Sequence, residues 1–377
     1  MLKMAIVCLA LLLAAGLPGR AAPLWVTAYY PSWNQDGEGM GPDKIDYSAI
    51  THLVHFAITP RADGTIEDAK RGPLDVITPA QSADVVARAH KGGAKVLVCL
   101  GGASSGPAIA AAITDNVRPA FVKNLVAFVA ARGYDGLDID MEPIQPADEP
   151  SFVKFVGELR AAMKAANPRW LLTIPASGEP GAQSKLCARL QSDFDQINIQ
   201  TYDLSGTWPG FKTWYNGSLY GDGATLLTTT RPFPSVDDIV GQYLAAGIPA
   251  AKLGIGLAFY GYVWTGANGP AQPIKGVTTQ TLAYNDIMDK YFQPKLYHWD
   301  AVAHAPYLSL GADGDAARKF ISFDDARLAH EKVLYARAHG LGGVIIWQIG
   351  GGYRAGQPAG RKDVLLQAVK SAAHGGG

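Results

Sequence analysis

Eight short apolar runs separated by amphipathic stretches predict an α/β fold, specifically a TIM (β/α)8 barrel carrying a small α+β insertion between strand 7 and its helix. Two further observations support it: carboxyls at alternate positions of the fourth run, and polar or aromatic residues at the ends of several others. The runs are Trp25 to Tyr30, Thr51 to Ile58, Lys95 to Leu100, Gly136 to Asp140, Trp170 to Pro175, Gln196 to Tyr202, Lys252 to Tyr260 and Gly343 to Ile349. Strands this uniformly apolar are buried on both faces, which requires a parallel sheet under a layer of helices. Helical periodicity falls between them at Ala83 to His90, Pro119 to Ala131, Ser151 to Ala166, Val236 to Ala246 and Ala326 to His339, with a terminal helix over Lys362 to Ala373. An open doubly wound sheet is the alternative. The long stretch between the seventh run and the last strand has its own alternation and turns, and residues 262–322 read as the inserted module.

With 377 residues and a hydrophobic fraction of 48%, the chain suits one large domain. A formal net charge of +0 and a pI near 7.1 give no electrostatic footprint for nucleic acid or an anionic membrane, and favour an uncharged ligand. Met1-Leu2-Lys3, the apolar stretch Met4 to Leu17 and the segment Pro18 to Ala22 have the three parts of a secretory signal. Residues 1–22 are therefore expected to be removed, leaving residues 23–377 as a secreted or periplasmic protein without a membrane anchor. A monomer is expected.

Of the cysteines, Cys99 and Cys187 remain after such cleavage. Cys99 reads as a buried thiol, and a bridge to Cys187 stays open for an exported chain. Neither they nor the scattered histidines have metal-ligand spacing, and His52 and His55 read as structural. The stretch Gly101 to Gly106 lacks a phosphate-loop or dinucleotide pattern, so it reads as a tight turn at a strand end. No metal and no cofactor are expected.

Residues 135 to 142 read Asp-Gly-Leu-Asp-Ile-Asp-Met-Glu. On a strand, Asp138, Asp140 and Glu142 share one face, while Leu137, Ile139 and Met141 line the other. A calcium loop is longer and less apolar. Unpaired buried carboxylates are costly, and neighbours about 6 to 7 Å apart along a strand repel, so at least one should keep a proton near neutral pH. A general acid needs such a proton. In a TIM barrel the reactive groups stand at the carboxyl ends of the strands, where Glu142 falls. Tyr29, Gln200, Tyr202, Asp203 and Trp347 lie at the ends of the first, sixth and eighth strands and can face the same mouth. The loop after the sixth strand carries Trp208 and Trp214, whose rings either stack on sugars or pin the loop to the barrel.

These residues resemble the family 18 glycoside hydrolases, the chitinase family, whose fourth-strand signature Asp-x-x-Asp-x-Asp-x-Glu is matched by Asp135, Asp138, Asp140 and Glu142. The resemblance continues through Ala28 to Trp33, Thr51-His52, Gly101-Gly102, Gln200 to Asp203, Leu253 to Gly256, Tyr260-Gly261 and Leu341 to Trp347. Leu282 to Ile287, Trp299-Asp300 and Pro306-Tyr307 are similar to the family's insertion in a shortened form. The chain departs from the pattern at Met141 and Pro143 beside the acid, at Cys99, at Gln200, in lacking a Trp after Gly101-Gly102, and in ending its eighth strand on Gly350 to Gly352. These differences surround the sugar-binding positions.

The resemblance implies that Glu142 protonates the glycosidic oxygen while the substrate's N-acetyl carbonyl serves as nucleophile. It implies further that Asp140 orients the acetamido group, sharing a proton with Asp138 and turning toward Glu142. Tyr202 would bond the acetamido oxygen, Gln200 and Asp203 would hold the sugar, and Trp347 would floor it. Asp135, of opposite parity, reads as structural support. The implied partner is an oligo- or polysaccharide of β-1,4-linked N-acetylglucosamine, as in chitin. Peptidoglycan, an N-glycan core and a non-catalytic chitin-binding lectin are the alternatives.

Overall fold

Apolar runs become the staves of a closed barrel in the computed structural model, which describes residues 23–37, 39–66, 77–179, 181–223, 225 and 232–375. In chain order the first half comprises β1 (Trp25–Pro31), β2 (His52–Ile58), α1 (Pro79–Lys91), β3 (Lys95–Gly102), α2 (Gly106–Ala112), α3 (Arg118–Arg132), β4 (Gly136–Met141) and α4 (Glu149–Ala166). There follow β5 (Leu171–Ala176), α5 (Gly181–Leu190), β6 (Gln196–Ile199), α6 (Val236–Ala245) and β7 (Leu253–Ala258). An inserted unit then contains β8 (Tyr260–Thr265), β9 (Thr278–Ala283), α7 (Tyr284–Lys290), β10 (Tyr297–Asp300), β11 (Ala305–Leu310) and β12 (Lys319–Phe323). The chain closes with α8 (Ala326–Ala338), β13 (Gly343–Trp347) and α9 (Val364–His374).

The parallel staves run β1-β13-β7-β6-β5-β4-β3-β2 and close on themselves, so the fold is a TIM barrel. The insertion is an antiparallel sheet in the order β10-β11-β12-β8-β9. Strand parity divides the apolar side chains into two cores. Leu137, Ile139 and Met141 of β4 point outward into the layer where α4 buries Phe152, Phe155, Val156, Leu159 and Met163. Tyr29, Val54, Leu97, Cys99 and Ile345 fill the barrel itself with Tyr202. The helices start where side chains can take up the orphan N–H groups: Thr78 and Gln81 form a capping box on α1, and Ser235, Asp325 and Asp363 cap α6, α8 and α9.

Several expectations are corrected. The sixth strand ends at Ile199, so Gln200, Tyr202 and Asp203 lie beyond it rather than on it. The cause is Thr201, whose hydroxyl donates to the Gly256 carbonyl (3.1 Å) and accepts from the Gly256 N–H (2.8 Å), replacing the strand ladder with a side-chain clamp. The seventh run splits at Phe259, with β7 before it and the first strand of the insertion after it. Helices α2 and α5 have no counterpart among the expected elements. Cys99 and Cys187 are both free and buried, so the bridge left open is not formed. The leader expected over residues 1–22 lies outside the described residues. Among the described residues no helix is long and apolar enough to cross a membrane.

Candidate active site

Strand β4 delivers Asp138 and Asp140 into the barrel's upper interior and Glu142 just past its end. Register places Asp138 beside Cys99 on β3 and Thr173 on β5. Its carboxylate accepts from the Thr173 hydroxyl (2.5 Å) and, across the barrel, from the Tyr29 hydroxyl (3.0 Å), while the Cys99 thiol adds a third, weaker donor. Burial still dominates, and the Asp138 pKa is pushed up to about 6. Asp140 has no such set of donors. Burial, then the neighbouring Glu142 charge and a hydrogen bond between the two carboxyls, raise it well above the usual carboxylate range. It therefore holds its proton against Glu142. Among the described residues its Oδ1 has no partner.

The backbone that carries this pair is fixed from β3. Gly101 and Gly102 take φ of 110° and 116°, and a Cβ on Gly101 would lie 2.2 Å from the Asp140 carbonyl, so the turn there requires glycine. Ser105 then donates its hydroxyl to the Asp140 carbonyl (2.9 Å) and accepts the Glu142 N–H (3.3 Å).

The segment after β6 supplies the opposite wall. Gln200 donates from Nε2 to Glu142 Oε1 at 2.8 Å, which orients the half-buried acid. Tyr202 is buried, its ring lying so close to Gly256 that a Cβ there would sit 2.6 Å from it. Burial raises its hydroxyl's pKa, so Tyr202 is a donor at every relevant pH. Asp203 adopts φ 56°, with its N–H on the Asn216 side-chain oxygen (2.8 Å) and its Oδ1 accepting from Tyr260 (2.5 Å) and Tyr262 (2.9 Å) of the insertion. The insertion thus positions a rim carboxylate of the barrel.

Trp347, the last residue of β13, packs against Phe56 (4.9 Å between ring centroids) and Tyr29 (5.6 Å). The cleft above these residues is a row of three spaces. One of about 560 Å³ and one of about 520 Å³ meet at Glu142; a third of about 310 Å³ joins the second at Asp203 and reaches Trp347. Trp208 lines the second, 42% exposed and edge-on to Phe211. Trp214 is instead fully buried and stacked on Phe233 at 4.2 Å, so of the two readings left open for it the loop-pinning one holds. Asp135 sits on the barrel's outside, binding the Val96 N–H (2.8 Å) and His90 (2.7 Å). Sequence reasoning passed over Thr173, Ser105, Tyr260 and Tyr262. Only Thr173 gave a local signal, as a hydroxyl within the apolar run of β5.

A closed (β/α)8 barrel whose carboxyl-lined mouth opens on a long cleft belongs to the class of barrel hydrolases. Residues 26–352 match the profile of Glycosyl hydrolases family 18. The chain belongs to this family and is a chitinase-type glycoside hydrolase. It is 29% identical over 360 residues to Endochitinase 1 of Metarhizium robertsii, covering 88% of this chain and 82% of that one. Chitinase B of Serratia marcescens is 26% identical over 352 residues, covering 74% and 69%. Among solved structures, the Ostrinia furnacalis Group IV chitinase in complex with allosamidin superposes with a TM-score of 0.76 at 24% identity, covering 92% of this chain and 98% of that chain. A family 18 N-acetylglucosaminidase from Paenibacillus barengoltzii does so with a TM-score of 0.73 at 23% identity, covering 93% and 99%. These two likenesses concern the fold.

Proposed function

We propose that this enzyme hydrolyses β-1,4-linked N-acetylglucosamine, as in chitin and its oligomers, with retention of configuration and with the substrate's acetamido oxygen as nucleophile. The observation that carries the reading is Asp140, a buried carboxyl that keeps its proton toward Glu142 and has Oδ1 unpartnered among the described residues. An acetamido N–H is the donor that oxygen lacks. Glu142, held by Gln200, gives its proton to the glycosidic oxygen as the acetamido oxygen bonds C1 and the C1–O bond breaks. Tyr202 donates to the acetamido oxygen, and Asp140 accepts from its N–H while its own proton passes toward Asp138. Water then attacks C1 from the vacated face, returning one proton to Glu142. Neither metal nor cofactor enters this sequence. The leader-like residues 1–22 support export of the enzyme to where such polymers lie.

The test is proton NMR of the N-acetylglucosamine hexamer during cleavage by the purified mature chain. The β anomer should appear first, and a fully deacetylated oligomer should resist, since it has no acetamido oxygen. Initial α product, or equal cleavage of the deacetylated chain, would overturn the mechanism.

Asp138 gives the reading a pH signature. Its carboxylate must be ionised to draw the Asp140 proton, so kcat/KM should fall as pH drops through about 6. The Tyr29 hydroxyl bond favours the ionised form, and Tyr29→Phe should move this acid limb to higher pH while leaving the alkaline limb in place. An unmoved acid limb would separate Asp138 from the rate. Stability responds with the opposite sense. Protonated Asp138 is the form the fold prefers, so its contribution is full below the unfolded value near about 3.9 and is lost as pH rises through about 6.

A further inference from the structure

Resting on that glycosidase reading, we infer that Asn216 is a positioning residue for the reaction: its side-chain and backbone carbonyls hold the turn that presents Asp203 to the sugar. Asp203 lines both the second and the third spaces of the cleft, so a sugar chain running from Glu142 toward Trp347 passes its carboxylate. Asn216 lines none of the three spaces and acts from behind the wall. Asp203 holds a left-handed φ of 56° without being glycine, a conformation that persists where the surroundings over-determine it. Strand β6 has already ended at Ile199, so no strand ladder supplies that constraint.

Asn216 supplies it instead. Its Oδ1 accepts the Asp203 N–H at 2.8 Å and its backbone carbonyl accepts the Leu204 N–H at 3.0 Å, so two successive donors of the turn end on one residue. The next residue, Gly217, lies against the same segment, and a Cβ there would stand 2.6 Å from the Thr201 carbonyl, so the close approach requires glycine. Asn216 is in turn fixed by the insertion. It is 1% exposed, its N–H donates to the Ser322 hydroxyl of β12 at 2.6 Å, and its Nδ2 reaches the Tyr260 carbonyl of β8 at 3.5 Å. The Tyr260 hydroxyl donates to Asp203 Oδ1 at 2.5 Å, which closes a ring of hydrogen bonds through Asp203, Asn216 and Tyr260. The tyrosines thus hold the carboxylate while Asn216 holds the backbone that carries it. Without the Asn216 oxygen the Asp203 N–H loses its acceptor, and the residue is free to leave its left-handed conformation and turn its carboxylate away from the cleft.

The experiment measures kcat/KM on the N-acetylglucosamine hexamer, with near-UV circular dichroism to confirm that each variant is folded. Asn216→Ala should lower kcat/KM by about 10- to 100-fold, the effect of a misplacement near 1 Å in a reacting site. Asn216→Asp keeps the acceptor at Oδ1, and its second oxygen, kept protonated by burial, can donate to the Tyr260 carbonyl, so this variant should stay within about threefold of the parent. A cycle with Asp203→Asn separates positioning from fold support, because asparagine tolerates the left-handed turn but removes the charge that the turn presents. Added to Asp203→Asn, Asn216→Ala should cost less than about threefold more. Equal losses in the two backgrounds would overturn the inference, as would a folded Asn216→Ala within about threefold of the parent. Should Asn216→Ala not fold, Asn216→Asp decides: activity near the parent's upholds the role of the acceptor, and a folded variant impaired more than about tenfold overturns it. In each of these outcomes the parent still cleaves, and the glycosidase reading stands. No cleavage of the hexamer by the parent would overturn that reading, and the inference with it.

Discussion

Glu142→Gln is expected to lower kcat by at least about 10² to 10⁴-fold, the typical contribution of a positioned general acid, with KM and thermal stability little changed. The replacement amide has the same shape, and its oxygen can still accept the 2.8 Å bond from Gln200 Nε2. What it lacks is a transferable proton. A second readout follows from the carboxyl pair. Glu142 raises Asp140 both through its charge and through the hydrogen bond between them, and both causes disappear in the variant. The Asp140 carboxyl, followed by carbon NMR, should then titrate at lower pH than in the parent enzyme, though burial keeps it above the ordinary range. Loss of less than tenfold in kcat would move the role of acid away from Glu142. An unchanged Asp140 titration would show that the two carboxyls do not interact.

The carboxyl cluster was legible because its information is local. A strand parity of two and three acids at that spacing suffice to put Asp138, Asp140 and Glu142 on one face, and the apolar residues between them mark the run as a stave. The barrel was legible for the same reason, as alternation of runs and periodic helices. What escaped depends on register and on residues distant in sequence. Thr173 serves Asp138 only because β4 and β5 pair at that level, and Tyr260 and Tyr262 serve Asp203 only because the insertion folds back over the barrel. Trp208 and Trp214 belong to one polar, aromatic-rich loop, and nothing local distinguishes them. Phe233, far along the chain, takes Trp214 into a stacked pair and leaves Trp208 at the cleft. Lys332 misleads more strongly, because a lysine in an amphipathic helix such as α8 reads as part of a solvated face. It is fully buried.

Lys332→Met should therefore destabilise the fold by about 3–5 kcal/mol near neutral pH, the cost of leaving a buried charge without its partner. Lys332 Nζ lies 2.7 Å from Asp324 Oδ2, with side chains 0% and 1% exposed, and Asp324 also accepts the Ala258 N–H at 3.1 Å. Burial raises the Asp324 pKa even with the lysine present, so in the variant the carboxyl should take up a proton as pH falls, and the stability deficit should shrink toward acid. The pair also bears on the site. Lys332 Nζ approaches the Gly256 carbonyl (3.5 Å), which the Thr201 hydroxyl binds to hold the segment carrying Tyr202. A drop in kcat should accompany the loss of stability. Adding Asp324→Asn removes the stranded charge while keeping an acceptor for the Ala258 N–H, and should recover most of both losses, because a buried pair replaced as a unit is often neutral. Urea unfolding of the parent, single and double variants at two pH values measures this directly. A single-variant loss below about 1 kcal/mol, with no dependence on pH, would mean that Asp324 is solvated without its lysine and that the pair does not anchor the wall behind Tyr202.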